Sequence, residues 1–300
     1  MSKASYLGLP PEELEKRAEI AYSLLADCTV CAQDCHVNRL EGELGVCRGG
    51  RYVAVSSYGP HFGEEPPLVG SKGSGTIFFT FCNLKCKFCQ NYDISQRGEG
   101  DEVSSRELAG MMLDLQKNGC HNVNLVSPSH FVPQFLKSLV IARAKGLNIP
   151  IVYNTGGYDS TNTIDLLDGV IDIYMPDIKY GDDGLGKKYS GADRYFSVAK
   201  EAVKKMHQQV GDLVVNELGI AIRGLLVRHL VLPENLACTE RVVKFLAEEI
   251  SANTFVNIMD QYYPTFKARS CPELNRRITE EEFREALETA ERAGLKRIYI

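Results

Sequence analysis

What this chain lacks narrows it first. No apolar run reaches the ~20 residues that a bilayer-spanning helix needs, and the opening Met1-Ser2-Lys3-Ala4-Ser5-Tyr6 has no apolar h-region of a secretory leader. Neither a membrane anchor nor an export signal is expected, so the cytoplasm is the default location. Excess positive charge is missing too: 34 Lys and Arg face 39 Asp and Glu, for a formal net charge of −5. That balance argues against nucleic acid or an anionic membrane as partner. Tryptophan is absent altogether, which excludes nothing.

Cysteine, by contrast, is abundant. There are ten, and seven of them fall in two tight groups. In a reducing compartment such clustering indicates metal rather than disulfides. The first group is Cys28, Cys31 and Cys35, then Cys47 after Gly42 and Gly45. Four thiolates on a glycine-containing loop can close a tetrahedral zinc site or hold an auxiliary iron–sulfur cluster, and the spacing leaves both open. His36, beside Cys35, is either a substitute ligand or a solvated loop residue.

The second group is Cys82-x3-Cys86-x2-Cys89, directly after the apolar run Thr76-Ile77-Phe78-Phe79-Thr80. That run reads as a buried strand, so the thiols fall on the loop leaving its carboxyl end. Three thiolates on one short loop can grip one face of an iron–sulfur cube and leave its fourth iron open. An open position separates a reacting metal site from a closed structural one.

The remaining chain is regular. Pro10-Pro11-Glu12-Glu13 opens a helix whose Leu14, Ala18, Ala21, Tyr22 and Leu25 form a core-facing stripe. Tyr52 to Tyr58 alternate as a strand, and His61 to Pro67 read as a loop because its prolines cannot continue a central strand. Glu64, Glu65 and His61 are there either to meet substrate or as a plain surface turn. Ser104-x2-Glu107 caps a helix carrying Leu108, Met111, Met112 and Leu115, and Thr279-x2-Glu282 caps a last one. Between them strands are expected at Asn122–Val126, Ile149–Tyr153, Ile171–Met175, Leu225–Leu232 and Phe255–Met259, with an edge strand at Arg297–Ile300. Strand and helix alternate six times, which implies a parallel sheet with right-handed crossovers. Periodicity does not choose between a partial barrel and a doubly wound sheet.

Cys82-Asn83-Leu84-Lys85-Cys86-Lys87-Phe88-Cys89-Gln90-Asn91 resembles the signature of the radical S-adenosylmethionine superfamily, and in particular relatives of pyruvate formate-lyase activating enzyme. The resemblance implies an α/β fold, a partial (β/α)6 barrel with its chemistry at the carboxyl ends of the strands. Residues 1–70 would then form an N-terminal helix and four-cysteine extension, and residues 71–300 the core. It implies a [4Fe–4S] cluster on Cys82, Cys86 and Cys89 whose open iron chelates S-adenosylmethionine. Reductive cleavage would give a 5′-deoxyadenosyl radical for hydrogen abstraction, fed by a flavodoxin- or ferredoxin-type donor. The hydrogen would come from a backbone glycine of a glycyl-radical protein, or from a small molecule. Carried onto this chain, Thr155 in Asn154-Thr155-Gly156-Gly157, Asp177 and Lys179 in Asp177-Ile178-Lys179, and Arg228 become cofactor contacts. Where many relatives have Gly-Gly-Glu, this chain has Ser127-Pro128-Ser129-His130, leaving Ser127 or Ser129 to take the cofactor's ammonium. That departure motivates the alternative of an iron–sulfur electron-transfer or interaction protein without radical activity. Cys120, Cys238 and Cys271 stand alone and read as buried structural thiols.

Overall fold

The computed structural model describes residues 4–300, so the first three residues of the segment searched for a leader lie outside the described residues. The strands are β1 Val53–His61, β2 Ser74–Phe79, β3 Asp101–Val103, β4 Val123–Val126, β5 Ile151–Thr155, β6 Ile173–Pro176, β7 Val214–Val215, β8 Ala221–Leu230, β9 Phe255–Met259 and β10 Arg297–Tyr299. The helices are α1 Pro11–Ser23, α2 Pro66–Val69, α3 Ser105–Lys117, α4 Val132–Ala144, α5 Thr161–Leu166, α6 Asp183–Ser190, α7 Tyr195–Val210, α8 Thr239–Phe245 and α9 Glu280–Arg292.

Strands β2, β4, β5, β6, β8 and β9 lie side by side in that order, every neighbouring pair parallel. Helical connections join them, giving the (β/α)6 arrangement. β10 adds a parallel strand beyond β9, while β1 and then β3 extend the opposite edge antiparallel. β1 lies N-terminal to residue 70 yet shares this sheet.

Register assigns each strand residue to a face. Ile77, Leu125, Tyr153, Tyr174 and Leu225 are successive partners across the sheet and pack into the large core beneath the helices. Val152, Ile173, Met175 and Leu226 point the other way, into the lumen. There they meet Leu68 of α2, which plugs the amino-terminal end. The predicted strands and both capping boxes are present, with Ser104 bonded to Glu107 and Thr279 to Glu282.

Several elements differ from expectation. The segment His61–Pro67 is not all loop: His61 still pairs with Ser74, and Pro66-Pro67 open α2. Proline suits the first helical turn because its missing N–H has no partner there. α6, β3 and β7 carry too few periodic residues to be seen in sequence. No helix among the described residues is long and apolar enough to cross a membrane.

Candidate metal centre

The Cys82–Cys89 loop leaves the carboxyl end of β2 through Phe81, whose φ of 68° is left-handed. Non-glycine residues held there store strain, and such positions gather at functional turns. α6 fixes the loop by its backbone: Lys85 N–H donates to Ser190 O at 2.7 Å and Lys87 N–H to Tyr189 O at 2.8 Å. Phe88 anchors it further, edge-on to Tyr180 and Tyr262.

Each of the three sulfurs has a hydrogen-bonding partner. Leu84 N–H donates to Cys82 Sγ at 3.4 Å, Ser190 Oγ donates to Cys86 Sγ at 3.0 Å, and Cys89 Sγ lies 3.0 Å from Ser95 Oγ. Burial pushes the Cys86 thiol up to about 12 and raises Cys82 as well. A bare thiolate is therefore costly at these positions, whereas metal ligation deprotonates a thiol outright. Three sulfurs with hydrogen-bond partners, on one loop at the mouth of a parallel barrel, fit one face of a [4Fe–4S] cube.

The four N-terminal cysteines also come together, close enough for Cys28, Cys35 and Cys47 to act electrostatically on Cys31. Cys28, Cys31 and Cys47 are buried. Burial raises both Cys31 and Cys47. Gly49 N–H donates to Cys47 Sγ at 3.4 Å. Arg39, missed in the sequence, is 1% exposed beside them. Its guanidinium donates to His130 O at 2.8 Å and to Gly50 O at 2.8 Å, and lies 3.9 Å from Cys28 Sγ. Among the described residues it makes no ion pair with a carboxylate, and Cys28 Sγ is the acidic side-chain atom it reaches. His36 is exposed and bonded to Asp27 at 2.8 Å, which favours the solvated reading over ligation. Among the described residues no group of three or more His, Cys, Asp or Glu side chains is arranged to hold a single metal ion; a cube instead takes each thiolate on a separate iron.

The two thiol groups are neighbours. Gln33 Nε2 donates to Asn83 O at 2.7 Å, and Asn83 Nδ2 donates to Tyr158 O at 2.7 Å. Lys85 lies within electrostatic reach of Cys82 and Cys86 on one side and Cys47 on the other.

Of the residues named as cofactor contacts, Asp177, Lys179 and Arg228 stand together at the mouth. Lys179 Nζ is 2.5 Å from Asp177 Oδ2, and Arg228 Nε is 2.7 Å from Asp177 Oδ1. Burial opposes the Asp177 carboxylate, but the two cations outweigh it and hold the group below its usual range. Ser127 follows β4 with a left-handed φ of 57°, its N–H bonded to Asn154 O at 2.8 Å. Thr155 is placed differently. Its hydroxyl donates to Asp159 Oδ2 at 2.7 Å and meets Ser129 Oγ at 2.9 Å, in a buried network that also takes Tyr153. Gly156 and Gly157 bring this turn against protein rather than open space: a Cβ on Gly157 would lie 2.4 Å from Asp177 O, and one on Gly156 2.6 Å from Leu84 Cδ1. His130, considered for substrate contact, is buried with Nε2 3.0 Å from Thr80 O. Burial holds it down to about 3.

Glu64 and Glu65 are not a surface turn. Both turn inward toward Arg228, with Glu64 Oε2 3.4 Å from Nη1 and Glu65 Oε1 4.0 Å from Nε. Asn124, Asn154 and Asn257 share the same inner face and were not singled out by sequence. Polar residues alternating inside strands buried on both sides were the available signal.

A family model described as Radical SAM superfamily matches residues 76–246. An uncharacterized protein of Methanocaldococcus jannaschii is 36% identical over 300 aligned positions, covering 96% of this chain and 81% of that protein. Solved structures with weaker likeness include SuiB of Streptococcus suis, 14% identical with a TM-score of 0.46, covering 73% of this chain and 47% of that one. HydG, a maturase of the [FeFe]-hydrogenase, is 10% identical with a TM-score of 0.48, covering 96% of this chain and 62% of that one. This chain thus spans about half the length of SuiB. On the family match and the fold, the chain belongs to the radical SAM superfamily, which implies a [4Fe–4S] cluster and S-adenosylmethionine.

Proposed function

We propose that Cys82, Cys86 and Cys89 ligate the catalytic cluster, and that Asp177, Lys179, Arg228 and the Ser127 turn receive S-adenosylmethionine above the lumen. When bound, cluster and cofactor supply one-electron reductive cleavage and hydrogen abstraction. The protein's residues do the rest. Leu84 N–H, Ser190 and Ser95 stabilise sulfur charge, while Lys179 and Arg228 present cations to a carboxylate. The Asp177 carboxylate, kept ionised by those cations, can also accept from an ammonium. The observation that carries this reading is the convergence of three sulfurs, each with a hydrogen-bond partner, beside the Asp177–Lys179–Arg228 group.

Cys28, Cys31, Cys35 and Cys47 are read as the ligands of a second, iron–sulfur site. Buried Arg39 supports metal there, because an unpaired cation in the interior is expensive and metal-bound thiolates would compensate it. Proximity through Lys85 and the Gln33–Asn83 bond supports a relay, with a flavodoxin- or ferredoxin-type protein as the outside donor. Zinc remains the competing occupant. The cysteine loop's likeness to activating enzymes supports a backbone glycine of a partner protein as hydrogen donor; the charged lumen supports a small molecule or a side chain.

Anaerobic reconstitution followed by reduction with S-adenosylmethionine present tests the proposal. 5′-Deoxyadenosine is expected from the wild type and not from Cys86→Ala, while Cys31→Ala retains uncoupled cleavage with a chemical reductant. An intact cluster that yields none would favour an electron-transfer protein, the reading that the Ser127-Pro128-Ser129 departure motivates.

A further inference from the structure

The loop between β1 and α2 turns two carboxylates into the barrel lumen, which the superfamily's chemistry does not require. α2 enters from the amino-terminal end and seats Leu68 among Val152, Ile173, Met175 and Leu226. This carries Glu65 up to the level of Arg228 and Asn257, where it is 5% exposed. Asn257 Nδ2 donates to Glu65 Oε1 at 2.9 Å, and Glu64 Oε2 lies 3.4 Å from Arg228 Nη1.

The positive charge nearby already has protein partners, and only the remaining N–H donors of Lys179 and Arg228 are left for the cofactor's carboxylate. Arg228 Nε goes to Asp177, its Nη2 donates to Asn154 Oδ1 at 2.7 Å, and Lys179 pairs with Asp177. Three carboxylates thus face two cations. Glu65 Oε2 is buried with no hydrogen-bond partner, and so are both amide atoms of Asn124. Register puts Asn124 beside Val152, on the lumen face. Buried polar atoms left unpaired cost about 1–3 kcal/mol each, more for a charged group. A donor-rich, positively charged occupant would satisfy the two acceptors, Glu65 Oε2 and Asn124 Oδ1, and leave only the Asn124 Nδ2 donor unpaired; an anionic one would face an unpaired carboxylate oxygen.

We propose that this lumen binds a cationic group of the substrate, a primary ammonium or a guanidinium, with Glu65 as its ion-pair partner, Glu64 beside it and Asn124 as a further amide contact. The proposal rests on the reading that radical chemistry occurs at the barrel mouth, and it names the substrate class for that site. An ammonium offers three donors and no acceptor, which suits a carboxylate oxygen and an amide oxygen with nothing to accept from. S-adenosylmethionine carries an ammonium of its own, so the test must separate the two sources.

The experiment titrates n-butylamine, n-butanol and n-butyrate into the full-length, anaerobically reconstituted protein, with and without saturating S-adenosylmethionine, and follows the thermal unfolding midpoint. Butylamine is expected to bind about tenfold more tightly than butanol with the cofactor present, as a buried charge partner would require. Butyrate is expected to have no effect. Glu65→Gln keeps the shape and the acceptor for Asn257 but should abolish the preference for the amine. Should that variant lose its cluster absorbance, Glu64→Gln serves instead and should reduce the preference about threefold through the lost neighbouring charge. Equal responses to amine and alcohol in the wild type, as expected if only water meets these atoms, would overturn the proposal. So would a preference that survives in the variant. Amine binding lost once the cofactor saturates, or a variant defect confined to cofactor affinity, would assign the carboxylates to the cofactor and also refute it. None of these readings needs turnover, so a wild type that binds the amine yet forms no 5′-deoxyadenosine would count against the radical reading alone.

Discussion

Arg228 Nε donates to Asp177 Oδ1 at 2.7 Å, and that contact joins the end of β6 to β8 at the barrel mouth. Arg228 is also the guanidinium that Glu64 and Glu65 approach. Removing it would leave Glu64 and Glu65 with no cation and Asp177 with Lys179 alone, in a largely buried setting. Arg228→Ala is therefore expected to cost about 3–5 kcal/mol, the usual penalty for breaking a buried pair from one side. Anaerobic urea denaturation measures it. An unchanged midpoint would show that solvent already screens these groups.

Ser190 Oγ donates to Cys86 Sγ at 3.0 Å and is itself 2.8 Å from Tyr180 OH. Hydrogen bonds to ligand sulfur disperse the charge of the reduced cluster and help set its potential. Ser190→Ala should leave iron content intact and move the midpoint potential of the Cys82–Cys86–Cys89 cluster to a more negative value. Potentiometric titration followed by electron paramagnetic resonance would detect this. A potential that does not move would mean that the hydroxyl bonds elsewhere in the loaded protein.

These residues also show where the sequence was readable. Cys82, Cys86 and Cys89 were visible because a short loop fixes their relative positions locally. The six parallel strands were visible because each is a short, mostly apolar, β-branched or aromatic run between helical stretches. Ser190 could not be found that way, since it reaches Cys86 from 104 residues further along the chain. Its helix, α6, has only eight residues and little stripe of its own. Glu64 and Glu65 looked like a turn because proline and glycine surround them; only α2, inserted in the lumen, gives them an inward direction. Arg39 was silent because its partners are backbone carbonyls, which no side-chain pattern reveals.

Two buried histidines give a pH dependence with a definite sign. His229 bonds Ile178 O at 2.7 Å and Thr239 Oγ1 at 3.0 Å, and burial lowers it to about 4; His130 is lowered to about 3. An unfolded histidine titrates near ~6.5. Below that value the unfolded chain binds protons that the folded one refuses, so stability falls as pH drops from about 6.5 toward about 4. Each histidine should contribute a slope of about 1.4 kcal/mol per pH unit in that window. His229→Gln should flatten the slope by one such increment between pH 6 and pH 5, read from urea midpoints. Asp159 and Asp172, raised by burial, act in the opposite direction but equally in both proteins. A wild-type slope equal to that of the variant would mean that His229 is protonated in the folded state.

Asn124 sets stability against function most directly. It is fully buried on the lumen face, and neither amide atom has a partner. Leucine has the same branched outline of side-chain heavy atoms and nothing to satisfy, and the register partner Val152 is apolar. Asn124→Leu is therefore expected to raise stability by about 1–3 kcal/mol, since it removes a desolvated amide without opening a cavity. A core position chosen for packing alone would not retain such a residue. The same substitution should weaken amine binding in the lumen while the cluster absorbance stays unchanged. Paired urea denaturation and butylamine titration would show the two effects together. A destabilised variant would instead place a structural water on the amide, bound tightly enough to belong to the fold.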